Sequence, residues 1–296
     1  MRIFITGATG YLGYHIAVQC IDEGHQVLCL RRSSTKNLFN EEQEQYITWV
    51  TKDDQGWKEQ VKAFAPDVLI HAAWGGVRGA GRENREIQID NIHMSNELYS
   101  LYPYKQIIAL GSQAEYGYYE GPVSEDHELQ PTMLYAKAKV TSMHELQTYS
   151  DAKGIEWQWV RVFTVFGEKQ TGGLIPLAIN NCKKGVEVFD TTEGSQVYSY
   201  LYTKDFAKAI CQVIGSRGKT GVYNISQPLD EYSNRDILET IKQMMSSNIQ
   251  YNYGAVPYAK DQVMLMTGTV EKFEKAFGPI PHTDFRVALQ NTINSL

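Results

Sequence analysis

Ile3-Phe4-Ile5-Thr6-Gly7-Ala8-Thr9-Gly10-Tyr11-Leu12-Gly13 is the stretch that decides how this chain folds. Residues 2–6 are apolar and β-prone apart from the edges. Three glycines then recur as G-x-x-G-x-x-G, and Tyr14-His15-Ile16-Ala17-Val18-Gln19-Cys20-Ile21 continues with helical apolar periodicity. The expected unit is a strand, a tight turn and a helix. Gly7 permits a turn that a β-carbon would block. Gly10 lets a pyrophosphate approach the backbone, and Gly13 lets the helix pack on the strand. The helix N-terminus then offers unpaired N–H groups and partial positive charge to the phosphates. A glycine triplet alone is weak evidence. Its place between the first strand and the first helix is what points to a dinucleotide.

The second strand bears on which dinucleotide. Gln26-Val27-Leu28-Cys29-Leu30 ends in Arg31-Arg32-Ser33-Ser34. An acid at this strand end accepts from the ribose 2′-hydroxyl of NAD, whereas an arginine accommodates the 2′-phosphate of NADP. A guanidinium also pairs with phosphate through two parallel hydrogen bonds. NADP is therefore the expected cofactor, with NAD as the alternative. The competing reading is that Arg31 and Arg32 are solvated charges after a strand.

Tyr135-Ala136-Lys137-Ala138-Lys139 lies on a helix expected to begin near residue 133. Spacing of i, i+4 puts Tyr135 and Lys139 on one face, while Lys137 points elsewhere. A free phenol titrates near about pH 10. A nearby ammonium favours phenolate and pulls that value down. Such a pair can move a proton while a nicotinamide moves a hydride. A third candidate follows the strand Ile107-Ile108-Ala109-Leu110-Gly111, which leads into Ser112-Gln113-Ala114-Glu115-Tyr116-Gly117. Ligands of open α/β sheets bind beyond the carboxyl ends of strands, where the Ser112 hydroxyl can hydrogen-bond a substrate oxygen. The competing readings are an incidental surface pair and a turn serine.

Length and charge agree with an enzyme of small molecules. The chain has 296 residues, enough for a large core in one or two domains. A net charge of −6 leaves no basic stripe for nucleic acid or anionic membrane. No secretory signal is expected ahead of the first strand, and no apolar run approaches the ~20 residues that span a bilayer. Cys20, Cys29, Cys182 and Cys211 sit singly in apolar segments and read as buried thiols of a reducing cytoplasm. No Cys/His cluster has metal-ligand spacing, so no metal is expected.

Strands are expected near 2–6, 26–30, 46–50, 67–72, 106–111 and 156–163, with helices near 11–23, 57–64, 84–101 and 133–153. That alternation implies a doubly wound parallel α/β sheet. Beyond residue 165 the pattern changes. Residues 174–183 look helical and 186–202 strand-rich. Asp205 is expected to cap a helix through Ile214. Val222-Tyr223-Asn224-Ile225 reads as one more strand, and Asn234 to Met245 as a helix. The expected division is a dinucleotide-binding domain of residues 1–166 that also receives about 203–226, and a mixed α/β substrate lobe of 167–202 and 227–296.

Together with His71-Ala72-Ala73, Asn91, Tyr116-Gly117 and Arg161-Val162-Phe163-Thr164-Val165-Phe166-Gly167, these motifs carry a resemblance. The chain resembles the extended short-chain dehydrogenase/reductases, in the NAD(P)-dependent epimerase/dehydratase branch that acts on nucleotide-linked sugars. The resemblance implies that Tyr135 is the catalytic acid/base, that Lys139 holds the nicotinamide ribose and that Ser112 orients the sugar oxygen. It also implies cofactor contacts from Gly7, Thr9, Gly10, Tyr11, Leu12, Gly13, Arg31, Arg32, Asp53, Ala72, Ala73, Asn91 and Phe163. Trp74, Arg78, Gln113, Thr164 and Tyr198 are the implied substrate contacts, and a homodimer is the usual assembly.

Two departures matter. Where dehydratases of this family carry an Asp-Glu pair, this chain has Gln113 and Ala114, neither of which shuttles a proton. Where many members carry a phosphate-binding arginine, it has Tyr198. Finally, Trp74-Gly75-Gly76-Val77-Arg78-Gly79-Ala80-Gly81 holds four glycines in eight residues, which reads as a mobile segment from which Arg78 reaches a phosphate or hydroxyl, or as a flexible surface loop. The expectation is an NADP-dependent ketoreductase of a nucleotide-activated, 6-deoxy-4-keto sugar. An NAD-dependent 4-epimerase and a non-catalytic NADP sensor are the alternatives.

Overall fold

In a computed structural model, residues 1–227, 232–260 and 262–296 are described. Parts of the expected substrate lobe, residues 228–231 and 261, lie outside them. The first half alternates strictly. β1 (Arg2–Thr6), α1 (Tyr11–Asp22), β2 (Gln26–Arg31), α2 (Glu41–Glu44), β3 (Ile47–Thr51), α3 (Trp57–Phe64) and β4 (Val68–His71) follow one another. Then come α4 (Arg85–Ser100), β5 (Gln106–Ser112), β6 (Gly121–Val123), α5 (Leu134–Lys153), β7 (Glu156–Val162), β8 (Val165–Phe166) and α6 (Leu174–Lys183). The later elements are β9 (Val188–Asp190), β10 (Val197–Tyr198), β11 (Leu201–Tyr202), α7 (Thr203–Val213), β12 (Gly221–Ile225), β13 (Tyr232–Ser233) and α8 (Asn234–Met244). β14 (Gln250–Asn252), β15 (Leu265–Gly268), α9 (Glu271–Phe277) and α10 (Phe285–Ser295) close the chain.

Seven of the described strands form one sheet in the order β12-β7-β5-β4-β1-β2-β3, and every pairing in it is parallel. This is the doubly wound α/β fold expected from the alternation. The period of two along each strand assigns the faces. Ile3, Ile5, Ile108 and Leu110 pack with Ile16, Ala17, Phe206 and Ile210 of α1 and α7. Phe4, Ile107 and Ala109 pack on the opposite side with Leu98, Tyr99 and Leu146 of α4 and α5. The strand order turns outward from β1 and β4, and that switch point opens a crevice at the carboxyl ends of the strands.

A second sheet, β13-β10-β15-β6, and the helices α6, α8 and α10 build the other lobe. Its core is separate, centred on Phe166, Ile179, Leu238 and Leu289. The chain then returns to the first lobe, because β12 pairs with β7 over Gly221 to Ile225 and α7 lies on the α1 face.

Two local expectations are corrected. Asp205 does not cap α7, which begins at Thr203 with no side-chain cap on its N-terminus. The Asp205 carboxylate instead accepts from Thr283 N at 2.6 Å and Thr283 Oγ1 at 3.0 Å, tying α7 to the segment ahead of α10. The cysteines are not all solitary and buried either. Packing of α1 on α7 brings Cys20 Sγ within 3.7 Å of Cys211 Sγ, and Cys182 is half-buried. Among the described residues no helix is long and apolar enough to cross a membrane.

Candidate active site

The glycine turn behaves as its spacing implies. Gly7 has φ +81°, and a β-carbon there would stand 2.6 Å from Ala73 N. A β-carbon on Gly13 would stand 2.1 Å from Gly7 O, so only glycine lets α1 close on the turn. At Gly10 the nearest atom is 3.2 Å away, and the space beyond belongs to the crevice. Gly10 is the N-cap of α1 and supplies no side chain to its first N–H groups. This uncapped helix end is a ready anion site, and it fits the pyrophosphate of a dinucleotide.

From that turn a cavity of about 700 Å³ runs across the strand ends. Gly7, Thr9 and Gly10 form one wall; Ala72, Ala73, Trp74 and Asn91 form another. Arg31, Arg32 and Lys52 stand together at the β2 end. The Arg31 guanidinium lies 5.0 Å from the Trp49 ring centre, which fixes its plane. Lys52 had no signal in the sequence; it comes into play because β3 ends beside β2. Asp53 is placed differently. It accepts from Ser33 N at 2.8 Å and Ser33 Oγ at 2.7 Å, and these donors hold its carboxyl below the usual range. It braces the turn after β2 and does not line the cavity.

The glycine-rich segment after β4 is knitted, not loose. Gln88, on α4 and 3% exposed, donates to Gly76 O at 3.3 Å and Gly81 O at 2.9 Å. Its oxygen accepts from Trp74 Nε1 at 2.9 Å and Asn91 Nδ2 at 3.2 Å. Asn91 grips Gly75 from both sides, through Gly75 N at 2.8 Å and Gly75 O at 3.0 Å. The glycines let the chain fold back on itself: a β-carbon on Gly81 would meet Gly76 Cα at 2.8 Å. Arg78 is exposed on this loop and lies against Gly172 of the second lobe, where a β-carbon would come within 2.5 Å of its guanidinium.

Ser112 and Tyr135 meet at the end of β5. Ser112 Oγ accepts from Ala114 N at 3.2 Å and neighbours the Tyr135 phenol. Burial pushes the phenol up, and the neighbouring Ser112 hydroxyl works the other way. Lys139 does not supply the expected pull on Tyr135. Its ammonium donates to Leu110 O at 2.6 Å and sits 3.7 Å from the Trp74 ring centre. Burial lowers Lys139 itself to about 7. Trp74 thus touches both partners, with its ring edge-on to Tyr135 at 6.4 Å.

Beneath them is a buried ion pair. Glu115 accepts from Ser112 N at 2.8 Å, Trp159 Nε1 at 3.0 Å and Arg161 Nε at 2.8 Å. Arg161 also donates to Tyr116 Oη at 3.0 Å, and Tyr116 donates to Asn224 at 2.6 Å. The pair fixes the strand end that carries Ser112. The S-x-x-E spacing of Ser112 and Glu115 is a capping-box signature and was the available clue. His71 is neutral: burial lowers it to about 3, between Thr6 Oγ1 at 2.7 Å and Ser95 Oγ at 2.9 Å.

On the second-lobe side, Gln113 Nε2 and Thr164 Oγ1 both turn to Met266 Sδ, at 3.2 and 3.8 Å. Met266 stands opposite Tyr198 in the β10–β15 register, and Tyr198 Oη accepts from Gln262 at 3.0 Å. Three expected substrate residues therefore share one neighbour that the sequence did not mark. The Phe163 ring lies behind this wall, buried against Gly268 and near Tyr116.

A sequence profile of the NAD dependent epimerase/dehydratase family matches residues 3–226. The chain belongs to that family. It is an NAD(P)-dependent oxidoreductase of the short-chain dehydrogenase/reductase type. Among its relatives, a UDP-glucose 4-epimerase of Corynebacterium glutamicum is 25% identical over 315 residues, covering 98% of this chain and 94% of that one. A dTDP-6-deoxy-L-talose 4-dehydrogenase (NAD(+)) of Aggregatibacter actinomycetemcomitans is 25% identical over 236 residues, covering 76% and 83%. The fold matches that of UDP-N-acetylglucosamine 4-epimerase from Methanobrevibacter ruminantium, solved with UDP-N-acetylmuramic acid. The TM-score is 0.88 at 23% identity, over 99% of this chain and 97% of that one.

Proposed function

We propose that this family member reduces a nucleotide-activated 4-keto sugar, of the 6-deoxy type, with NADPH. The observation that carries the cofactor choice is the cluster of Arg31, Arg32 and Lys52 at the β2 end of the cavity. Three cations there favour a 2′-phosphate over a bare ribose. The uncapped end of α1 would hold the pyrophosphate, and Ala72, Ala73 and Asn91, which line the same cavity, would flank the nicotinamide. When bound, the reduced nicotinamide supplies hydride to the carbonyl carbon.

The protein's own part is to place the carbonyl oxygen and feed it a proton. Ser112 and the Tyr135 phenol are neighbours at the end of β5, where both would reach a substrate oxygen. Tyr135 gives its proton to the developing alkoxide while Ser112 donates a hydrogen bond to it. The buried, high-lying phenol keeps that proton until the alkoxide forms. Lys139, whose ammonium donates to Leu110 O, would hold the hydroxyls of the nicotinamide ribose. Dehydration is set aside because Gln113 and Ala114 carry no transferable proton and Glu115 is tied to Arg161.

A 4-epimerase reading is favoured by the Corynebacterium relative. The test separates the two. Binding of NADPH and NADH is compared first. UDP- and dTDP-linked 4-keto-6-deoxyhexoses are then offered with NADPH, following its absorbance, and UDP-glucose is offered with NAD for epimerisation. Consumption of NADPH by a keto sugar supports the reductase; interconversion of UDP-glucose without net cofactor change overturns it.

A further inference from the structure

One charged side chain at the site belongs to none of the roles above. Arg82 follows the glycine-rich loop, in the short turn Gly79–Glu83. Its guanidinium lies 4.9 Å from the Tyr135 ring centre. Its Nε is buried without a hydrogen-bond partner among the described residues. No carboxylate of the described residues forms an ion pair with it. An arginine left this way on an aromatic face is held there by the ring and its surroundings.

The surroundings are built to hold it. Gln88 grips Gly81 O, the residue before Arg82, at 2.9 Å. On its other side, Glu83 accepts from Leu134 N, the residue before Tyr135, at 3.5 Å. The turn is thus pinned at one end to α4 and at the other to the start of the catalytic helix. Arg82 and Tyr135 cannot drift apart without breaking one of these ties.

We propose that Arg82 is a positioning residue for Tyr135: its guanidinium, seated on the ring face, clamps the phenol and sets a positive charge against it. This rests on the reading of Tyr135 as the proton donor. The groups that face the phenol are few. Ser112 at the end of β5 neighbours it and favours its ionisation, Glu115 of the following turn opposes it, and Arg82 favours it. Lys139 is on the same helix but is engaged with Leu110 O and Trp74. Before the cofactor arrives, Arg82 is therefore the cation on Tyr135, and the duty usually given to the lysine is divided.

The test is a pH titration of the protein labelled with tyrosine carrying ¹³C at Cζ, read by NMR from pH 8 to 12.5. Tyr135→Phe identifies the resonance. Arg82→Gln is expected to raise the Tyr135 midpoint by about one pH unit, a tenfold change in its ionisation constant. Arg82→Lys, which keeps the charge, is expected to restore at least half of the shift. A structural role alone would not be rescued in this way. If the Tyr135 resonance of the parent shows no greater ionisation than that of Arg82→Gln anywhere in the range, the inference is overturned. Turnover by Tyr135→Phe is measured separately. Near-full activity there overturns the functional reading, whereas an inactive Tyr135→Phe with an unmoved midpoint overturns only the role of Arg82.

Discussion

At the scale of single residues, the site is a set of side chains whose burial works against their charge. Tyr135→Phe keeps the ring against Trp74 and removes the transferable proton. Turnover is expected to fall by about two to four orders of magnitude while NADPH affinity is retained, a pair of values that steady-state kinetics and a fluorescence titration give directly. Lys139 carries a stability cost that can be read from its environment. Its folded-state value of about 7 lies below the ordinary lysine value of 10.5. Between those pH values the unfolded chain binds more protons than the folded one, so this group makes stability rise with pH, and its full cost applies below 7. Lys139→Met should therefore melt higher than the parent, most at about pH 6 and with little difference by about pH 10, while losing activity. Melting curves across that range decide it; a lower melting temperature at acidic pH would refute the assignment. Arg31 and Arg32 are expected to hold NADPH at least tenfold tighter than NADH, about 1.4 kcal/mol. Calorimetry on the double Ala variant should show most of that gap gone.

At the scale of elements, what could be read in advance was what lies close in sequence. The glycine turn, the Tyr135/Lys139 spacing and Ser112 at a strand end are local patterns, and the expected strands and helices through α5 fall within a residue or two of their bounds, although the short α2 and β6 were not expected. Contacts made by residues far apart were not legible. Glu115 meets Arg161 across 46 positions, Thr164 meets Met266 across 102, and Asp205 reaches Thr283 across 78. Asp205 near a helix start looks like a cap, and only the fold shows its partner elsewhere. The loop after β4 misleads for a related reason: its glycines signal freedom, but one amide on α4 gathers them. The glycine turn makes a contrast between two substitutions. Gly13→Ala forces a β-carbon into Gly7 O and should cost about 1–3 kcal/mol of stability. Gly10→Ala meets only one contact, at 3.2 Å, so it should fold nearly as before yet lose cofactor affinity, because the added methyl faces the cavity. Thermal melts and NADPH titrations of the two proteins distinguish the roles.

At the scale of the molecule, the ion pair under Ser112 joins β5, β7 and, through Tyr116 and Asn224, β12. Glu115→Gln leaves Arg161 buried without its counter-charge and should destabilise the protein by about 3–5 kcal/mol, measurable in a denaturant titration. The return of β12 to the first sheet has a consequence in time. A ribosome delivers the chain N-terminal end first, and β7 is finished at Val162 while its partner ends at Ile225. At about 5–20 residues per second, the nascent chain waits several seconds with the β7 margin bare. An open strand margin recruits other chains. Newly made copies are therefore most exposed to chaperone capture, or to one another, in that interval, and a protein cut after residue 166 would remain in it permanently.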